Sequence, residues 1–374
     1  MMNKTSMIYV HIPFCVKKCD YCDFTSFVCD EESKRAYFES LYRQIEIESE
    51  SVENLSIDSV FVGGGTPSSV NEKYIYKLFE KLRDRFNVSD DPEITIEVNP
   101  GTVTKEKLSV YKEAGINRIS IGLQSTDDAE LKLLSRVHDY EGFLHSYELV
   151  RNAGFENVNI DIMSALPTQT RSSYLNTLKR VVSLKPAHIS AYSLIIEEGT
   201  PFYERYKGGK DLPDEETDRE MYHDTKAFLK ENGYERYEIS NYAKPGFECK
   251  HNMGYWTRKP YLGLGIAAAS FYDENRYLMH SDLKRYIEGD FEKEVTKLSK
   301  DDAMAEFMFL GLRLTSGVSK KKFEETFSLS IYDVYAKEIA ELTKEGLLID
   351  KKEVLYLTDF GLDVSNVAMA KFLK

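Results

Sequence analysis

The sequence predicts an α/β fold: a partial (β/α)6 TIM-like barrel followed by a smaller C-terminal α+β domain that resembles a winged helix. Three observations support this prediction. Apolar, β-branched runs alternate with stretches of helical spacing over the first two hundred residues. Glycine and polar residues follow these runs, where barrel folds build their sites. After about residue 300, helical segments lead into a short strand pair.

Six strand-then-helix units account for the barrel. The predicted strands are Met7–Phe14, Ile57–Val62, Glu93–Val98, Arg118–Leu123, Asn157–Met163 and His188–Ile196. The predicted helices between them are Glu32–Glu50, Glu72–Phe86, Lys105–Ala114, Tyr140–Ala153 and Ser172–Leu184. This alternation favours a parallel sheet with right-handed crossovers. Six units favour an open barrel, although a doubly wound sheet would have the same pattern.

The pattern changes from Pro213 onward. Asp214–Asn232 is predicted as a charged helix, Tyr234–Tyr242 as a strand, and Leu347–Leu357 as a strand pair. Tyr261–Phe271 is rich in small residues and could pack closely against the sheet or a ligand. A length of 374 residues exceeds what one core usually supports. We therefore predict a barrel over 1–212, a connecting extension over 213–295 and a winged-helix-like domain over 296–374.

Charge and hydropathy restrict the partners. The net charge of −13 gives an acidic surface that repels phosphate backbones, so we expect no nucleic-acid partner. No apolar run approaches the length needed to cross a bilayer, and Met1–Val10 lacks a signal-peptide pattern. We expect a cytoplasmic protein whose membrane association, if any, is transient and made through a partner.

Three of the five cysteines form a C-x3-C-x2-C motif at Cys15, Cys19 and Cys22. An odd number of cysteines without an export signal argues against a disulfide framework. Three thiolates can hold three irons of a [4Fe–4S] cluster and leave the fourth iron open to a small molecule. The alternative is zinc completed by His11 or a distant residue, but structural zinc usually shows paired spacings and only one is present. Cys29 and Cys249 have no partner spacing and are interpreted as buried free thiols.

The motifs together resemble the radical S-adenosylmethionine (SAM) superfamily, and within it the coproporphyrinogen-dehydrogenase-like branch with its HemW-type haem chaperones. The segments that carry the resemblance are YVHIPFCVKKCDYC, VGGGTPS, EVNPGT, SIGLQS, DIMSALPTQT, YEISNYAKPGFECKHNMGYW and the C-terminal module. The resemblance implies a [4Fe–4S] cluster on the three cysteines with SAM beside it. It also implies that the reduced cluster can cleave SAM to methionine and a 5′-deoxyadenosyl radical.

The resemblance further implies which residues contact these cofactors near the cysteines. Tyr9 matches a position that contacts the nucleotide or the cluster, and Tyr21 matches an aromatic residue on which adenine stacks. The glycine loop, Gly63–Pro67, matches the segment that holds the methionine amino group. Its cofactor-binding residues are Gly64, Gly65 and Thr66. Glycines there let backbone N–H groups approach a ligand without a Cβ clash.

Four more cofactor-binding residues are implied at strand ends: Glu97, Gln124, Arg136 and Asp161. In the family these positions contact SAM, and sometimes a second SAM molecule. A carboxylate suits ribose hydroxyls or a sulfonium charge. Arg136 suits the methionine carboxylate, because guanidinium binds carboxylates through two hydrogen bonds.

Two features distinguish the branches. Coproporphyrinogen-oxidising relatives carry a further cysteine at the position of Phe24, together with a longer N-terminal segment. HemW-like relatives carry an HNxxYW motif, which here is His251, Asn252, Tyr255 and Trp256. Imidazole can ligate haem iron and aromatic rings can pack on a porphyrin. Alternatively, these side chains tie a loop and fill core. The resemblance favours a haem-linked role, with His251 among the cofactor contacts but not fixed as the axial ligand.

We therefore expect a radical-SAM-type haem chaperone that binds haem as cargo and passes it to haem-requiring membrane or respiratory enzymes. A homodimer is one expected assembly. The first alternative is an oxygen-independent coproporphyrinogen III oxidase that uses SAM for oxidative decarboxylation. The second alternative is a non-redox, zinc-stabilised binding module. The C-terminal domain is expected to be a lid or partner surface rather than a DNA-binding unit, since its helices mix lysine and glutamate.

Overall fold

A twelve-stranded sheet forms the centre of the computed structural model, which describes residues 4–52 and 55–373. Six central strands are parallel and neighbour each other in chain order. They are β1 (Lys4–Ile12), β2 (Leu55–Gly64), β3 (Asn87–Val98), β4 (Arg118–Gln124), β5 (Asn157–Ser164) and β6 (His188–Ser193). A doubly wound sheet would reverse its strand order at a switch point. The uninterrupted order confirms the predicted six-unit partial barrel.

Helices connect these strands or follow them. They are α1 (Glu31–Ser51), α2 (Glu72–Arg85), α3 (Lys105–Glu113), α4 (Asp128–Leu133), α5 (Tyr140–Asn152), α6 (Arg171–Ser183), α7 (Pro201–Tyr206) and α8 (Glu215–Glu231). The long ones begin at side chains that accept a hydrogen bond from a backbone N–H of the first turn, including Asp30, Thr104 and Asp139. The sequence did not predict the short helices α4 and α7.

Alternation along the strands separates two environments. Apolar side chains such as Val60, Ile96, Ile121 and Ile160 are buried in the main hydrophobic core. Because successive strand residues point to opposite faces, the residues between them point into the barrel interior. These interior residues are mostly polar: Ser59, Glu93, Thr95, Glu97, Arg118, Ser120, Asn159, Asp161, His188 and Ser190. The fold therefore encloses a polar interior lined by parallel strands.

The next segment extends the sheet at both edges. Its elements are β7 (Glu235–Arg236), β8 (Asn241–Ala243), α9 (Lys250–Trp256), β9 (Tyr261–Leu264), β10 (Ala269–Tyr272), β11 (Asn275–Met279), α10 (Leu283–Glu288) and β12 (Lys293–Lys297). β8 pairs antiparallel with β6 and β7 follows it, while β9 pairs parallel with β1 and leads to β10, β11 and β12. The segment also joins the main hydrophobic core through Met279 and Tyr286.

One predicted element of this segment differs from the structure. The single strand predicted over Tyr234–Tyr242 is wrong, because the chain reverses between β7 and β8. The buried Glu238 stabilises the reversal by accepting from Ser240 N–H at 2.8 Å and Asn241 Nδ2 at 2.7 Å. Tyr261–Phe271 forms β9 and β10 around a turn at Gly265, whose φ is 99°. A Cβ at Gly265 would lie 2.4 Å from the Tyr37 hydroxyl, so this turn does pack closely against its neighbours.

The C-terminal part has a second hydrophobic core. Its elements are α11 (Lys300–Gly311), β13 (Val318–Ser319), α12 (Lys320–Phe327), α13 (Ile331–Lys344), β14 (Leu348–Asp350), β15 (Val354–Leu357), α14 (Asp359–Asp363) and α15 (Ser365–Ala370). The antiparallel sheet has the order β13-β15-β14. This is the predicted winged-helix-like arrangement, whereas the domain boundaries at 212/213 and 295/296 stay predictions. Within residues 4–52 and 55–373, no helix has the length and apolar character needed to cross a membrane.

Candidate cofactor site

The three clustered cysteines lie on one loop at the carboxyl end of β1. Cys15 N–H donates to Phe27 O at 3.0 Å, and Phe27 N–H donates to Pro13 O at 2.7 Å. These two hydrogen bonds close the loop. Cys22 N–H donates to Cys19 O at 3.2 Å and forms a tight turn within this loop. All three thiols are partly exposed and free, so a short closed loop presents them together.

The surroundings of these thiols suit metal binding. Arg136 Nη1 donates to Cys19 Sγ at 3.5 Å, so a cationic side chain lies beside this sulfur. Cys15 Sγ lies 3.5 Å from Thr66 Oγ1. Burial raises the pKa of Cys22 to about 11, so a bound metal would be needed to keep this thiol ionised at neutral pH. The donors fit a cubane, in which three thiolates bind three different irons and need not converge on one ion.

The glycine loop, Gly63–Pro67, packs directly against the cysteine loop. Gly64 has φ 111°, and a Cβ there would lie 2.5 Å from the His11 ring. A Cβ at Gly65 would lie 2.9 Å from the backbone of Phe14 and 3.1 Å from Cys15 Sγ. Larger residues at these positions would therefore displace the loop that carries the cysteines.

The N–H groups of the glycine loop are not available as predicted. Gly64 N–H donates to Glu97 Oε2 at 3.1 Å, Gly65 N–H to Ile12 O at 3.0 Å, and Thr66 N–H to Phe14 O at 2.7 Å. An amino group such as that of methionine donates hydrogen bonds and needs acceptors. Backbone carbonyls, rather than these N–H groups, are the chemically suitable partners in this loop.

Glu97 and Asp161 form an acidic pair inside the barrel. Burial and the neighbouring Asp161 raise the pKa of Glu97 to about 8. Burial also raises the pKa of Asp161, but Asn159 Nδ2 at 2.7 Å and Ser120 Oγ at 3.2 Å donate to its carboxylate and oppose that rise. At neutral pH Glu97 is therefore mainly protonated, while the hydrogen bonds to Asp161 favour its ionised form. Such a pair can accept a cation.

Tyr9 and His11, near the carboxyl end of β1, form a hydrogen-bonded pair. The Tyr9 hydroxyl lies 3.0 Å from His11 Nδ1, and His11 Nε2 lies 2.8 Å from Thr25 O. Because a carbonyl can only accept, Nε2 carries the proton and Nδ1 accepts from Tyr9. Both ring nitrogens of His11 are thus engaged in hydrogen bonds, which removes His11 as a ready fourth ligand for the zinc alternative.

Tyr21, Gln124 and Arg136 lie on the other side of the cysteine loop. Tyr21 packs edge-on against Phe202, with 6.1 Å between ring centroids. Gln124 ends β4 with φ 74°, a left-handed conformation that non-glycine residues rarely adopt. Arg136 Nη2 donates to Asn99 Oδ1 and to Gly122 O, both at 2.7 Å. Its Nε is buried without a partner in the described parts of the chain and remains a donor for a ligand.

The structure thus brings most of the predicted cofactor contacts to one mouth, at the carboxyl ends of the strands. Six of them are partly exposed there: Tyr9, Tyr21, Glu97, Gln124, Arg136 and Asp161. Sequence reasoning missed Asn99, which joins two parts of the site. Asn99 Nδ2 donates to Thr66 Oγ1 at 2.8 Å, while its Oδ1 accepts from Arg136. The available signal was its position directly after a strand, in the segment EVNPGT.

His251 lies away from this mouth, near the amino ends of the strands, which we call the barrel floor. The residue is 1% exposed, its Nδ1 lies 3.0 Å from Ser59 Oγ, and its Nε2 lies 3.0 Å from the Tyr255 hydroxyl. Its backbone N–H donates to Glu93 Oε1 at 3.0 Å. Burial lowers the pKa of His251 to about 3, so the ring is neutral. Haem ligation would require one of its ring hydrogen bonds to break, and the predicted haem contact stays a prediction.

The two aromatic residues of the HNxxYW motif pack in different directions. Tyr255 packs edge-on against Tyr261, with 4.8 Å between ring centroids. Trp256 lies under the guanidinium of Arg313, 4.1 Å from the ring centroid. Arg258, just after α9, pairs with Glu306 of α11 at 3.2 Å. Trp256 therefore packs between α9 and the C-terminal domain, whereas Tyr255 packs on rings of the barrel, and both contacts agree with the core-filling alternative.

Comparison with known proteins identifies the family. A model described as the radical SAM superfamily matches residues 9–181, and one described as the HemN C-terminal domain matches residues 298–364. Coproporphyrinogen III oxidase (HemN) from Escherichia coli is structurally similar, with a TM-score of 0.86 and 26% identity, over 100% of this chain and 90% of that one.

Relatives of known name match over the full length. "Heme chaperone HemW" of Lactococcus lactis is 36% identical, over 100% of this chain and 98% of that protein. The Bacillus subtilis protein of the same name is 35% identical, over 98% of each chain. The E. coli protein of that name is 31% identical, over 98% of this chain and 97% of that protein. The chain therefore belongs to the HemW-type haem chaperones of the radical SAM superfamily.

Proposed function

We propose that the protein is a haem chaperone that holds a [4Fe–4S] cluster on Cys15, Cys19 and Cys22, binds SAM beside it and takes haem as cargo. The observation that carries this proposal is the closed cysteine loop, packed on the glycine loop and flanked by Arg136. The other two cysteines are not part of this loop. Cys29 packs against the main core, and Cys249 is buried at the start of α9.

The residues of the mouth have distinct roles in this proposal. The acidic pair Glu97 and Asp161 attracts the sulfonium, whose positive charge favours the ionised form of both carboxyl groups. The unpaired Nε of Arg136 can donate to the methionine carboxylate, and the Tyr21 ring offers a face or edge to adenine. The cluster, when bound and reduced, supplies the electron that cleaves the carbon–sulfur bond.

Haem as cargo rests on the relatives named heme chaperones, which match over the whole chain. By that relation we propose delivery of haem to haem-requiring membrane or respiratory enzymes. Titration of the reconstituted protein with haem tests this part. A saturable shift of the Soret band is expected, and an unchanged spectrum of free haem would reject haem as cargo. Sedimentation and cell fractionation test the expected homodimer and the expected cytoplasmic location.

A second candidate function is oxygen-independent coproporphyrinogen III oxidase. The structural similarity to HemN over the full chain favours it. Phe24 argues against it, because the position where the resemblance places an additional cysteine carries an apolar side chain that is 62% exposed. An anaerobic assay with coproporphyrinogen III, SAM and a reductant separates the two. The chaperone proposal predicts no decarboxylated product, and formation of product with multiple turnovers would establish the oxidase.

A further inference from the structure

A chain of hydrogen bonds runs through the barrel interior from Asp161 to the start of α9. Asn159 Nδ2 donates to Asp161 Oδ1 at 2.7 Å. His188 Nδ1 lies 2.6 Å from Asn159 Oδ1, and His188 Nε2 lies 2.8 Å from the Tyr237 hydroxyl. The Tyr237 oxygen in turn accepts from Cys249 N–H at 3.3 Å. A predicted SAM contact and the helix of the HNxxYW motif are thus connected by three side chains.

The chemistry of the chain fixes the direction of every hydrogen bond. Asp161 Oδ1 accepts from Asn159 Nδ2, so the amide NH₂ of Asn159 faces the carboxyl group. Asn159 Oδ1 then faces His188, which requires the His188 proton to be on Nδ1. His188 Nε2 consequently accepts, and the Tyr237 hydroxyl donates to it. All donors point toward Asp161.

His188 is fully buried, so its ring nitrogens bond to protein groups rather than to water. It is 0% exposed, and Asn159 and Ser190 beside it are buried as well. The strand register pairs Asn159 with His188 and Asp161 with Ser190 across β5 and β6. Ser190 Oγ donates to Asn159 Oδ1 at 3.1 Å and supports the same amide orientation. Burial lowers the pKa of His188 well below its ordinary value, so the ring is neutral.

We propose that His188 is a positioning residue of the SAM site, which acts through Asn159 to fix the orientation and the charge of the Asp161 carboxylate. The inference rests on the proposed function, because it requires Asp161 to face SAM. His188 itself does not contact the ligand. Tyr237 fixes the tautomer of His188 and thereby belongs to the same unit.

Anaerobic calorimetry with SAM and the oxidised cluster tests the proposal. His188→Leu removes both hydrogen bonds, and we expect its dissociation constant for SAM to rise about tenfold. His188→Asn keeps a donor near the Nδ1 position, and we expect it to stay within about threefold of wild type. Iron content should equal that of wild type in both variants. Folded variants that bind SAM as tightly as wild type would overturn the proposal.

A matched pair of tyrosine variants covers the case in which His188→Leu does not fold. Tyr237→Phe keeps the ring but removes the donor to His188, so we expect SAM affinity to fall severalfold. Tyr234→Phe also removes a buried hydroxyl, which donates to Pro186 O at 2.8 Å outside the chain. We expect its SAM affinity to match wild type. An equal loss of affinity in both would show a general packing effect and reject the proposal.

Nitrogen-15 NMR of the imidazole rings gives a readout that does not depend on SAM. We expect His188 to carry its proton on Nδ1 in wild type and to lose that preference in Tyr237→Phe. A wild-type His188 protonated on Nε2, or on both nitrogens, would contradict the hydrogen-bond chain. A correct tautomer in a protein that binds no SAM would instead reject the proposed function and leave the chain as a structural feature.

Discussion

The mouth of the barrel carries the cysteine motif and the floor carries the HNxxYW motif, but the two motifs differ in how far their polar groups are buried and hydrogen-bonded. At the mouth, the cysteines and the strand-end residues are partly exposed, and Arg136 keeps an unpaired donor. At the floor, His251 is buried and both ring nitrogens bind side chains of the protein. The comparison indicates that the mouth keeps polar groups available to a ligand. At the floor, the histidine of the motif is engaged within the fold, while Trp256 Nε1 is buried without a partner among the described residues.

One aromatic ring connects the two regions. Phe61 of β2 stacks on Tyr9 of the mouth, with 6.4 Å between centroids, and lies 5.3 Å from the His251 ring of the floor. Changes at the floor can therefore reach the mouth through packing as well as through the hydrogen-bond chain. Experiments on either region need a control that separates loss of fold from loss of ligand.

The largest expected difference between the regions concerns iron. Cys19→Ser removes a proposed cluster ligand beside Arg136, so we expect the reconstituted protein to lose nearly all of its iron and sulfide. Cys29→Ser changes a thiol outside the motif and should retain wild-type iron. Iron and sulfide analysis after anaerobic reconstitution measures both. Equal iron content in the two variants would contradict a cluster bound by Cys19 at the mouth.

Backbone packing at the mouth gives the next largest effect. Gly64→Ala combines φ 111° with a Cβ only 2.5 Å from the His11 ring, so we expect a loss of stability on the order of 3 kcal/mol. Gly101→Ala has φ 81° but open space around its Cβ, so the expected loss is about 1 kcal/mol. Urea unfolding of the two variants measures the difference. Equal losses would mean that the close contact with His11 is unimportant.

Variants of His251 test whether the floor motif binds haem or supports the fold. His251→Ala should lower the free energy of unfolding by about 2 kcal/mol, since it removes two buried hydrogen bonds and leaves a cavity. Tyr255→Phe removes one of these bonds, keeps the imidazole and should cost about 1 kcal/mol. The exposed His145 provides a control, and His145→Ala should be neutral. Denaturant unfolding measures all three.

Haem titrations of the same variants separate ligation from support. If the floor acts only by packing, Tyr255→Phe and His251→Ala should bind haem about as tightly as wild type while they stay folded. A Soret band that disappears in His251→Ala but is unchanged in Tyr255→Phe would identify His251 as the haem ligand and contradict a purely structural floor.

The smallest effect is the pH dependence of SAM binding at the mouth. Glu97, with a pKa of about 8, is protonated below that pH, and a sulfonium cation favours its ionised form. Binding should therefore release a proton, and affinity should fall about tenfold from pH 9 to pH 7. Glu97→Gln should abolish this dependence. Calorimetry in buffers of different ionisation enthalpy measures the proton release. If the SAM affinity of the wild type does not change with pH, Glu97 does not release the proton.

The sequence predicted the mouth better than the floor for a physical reason. The cysteines, the glycine loop and the strand-end residues each belong to a local pattern, and parallel strands necessarily bring their carboxyl ends together. The floor depends on contacts between distant parts of the chain. Glu93 accepts from the N–H of His251, which lies 158 residues later, and no local sequence pattern predicts that contact.

The same reason explains the smaller errors. The reversal between β7 and β8 depends on the buried Glu238 side chain, which no strand propensity describes. His188 belonged to a predicted strand, but its partners Asn159 and Tyr237 are 29 and 49 residues away. His188 is buried in the barrel interior, and its role could be assigned only once these neighbours were known.

Electron paramagnetic resonance of the reduced, reconstituted protein, with and without SAM, tests the central claim most directly. A [4Fe–4S] cluster with one iron free of protein ligands should give a signal whose g-values change when SAM is added, in a protein with about four irons per chain. A colourless protein that contains one zinc, or a cluster signal that saturating SAM leaves unchanged, would contradict the account.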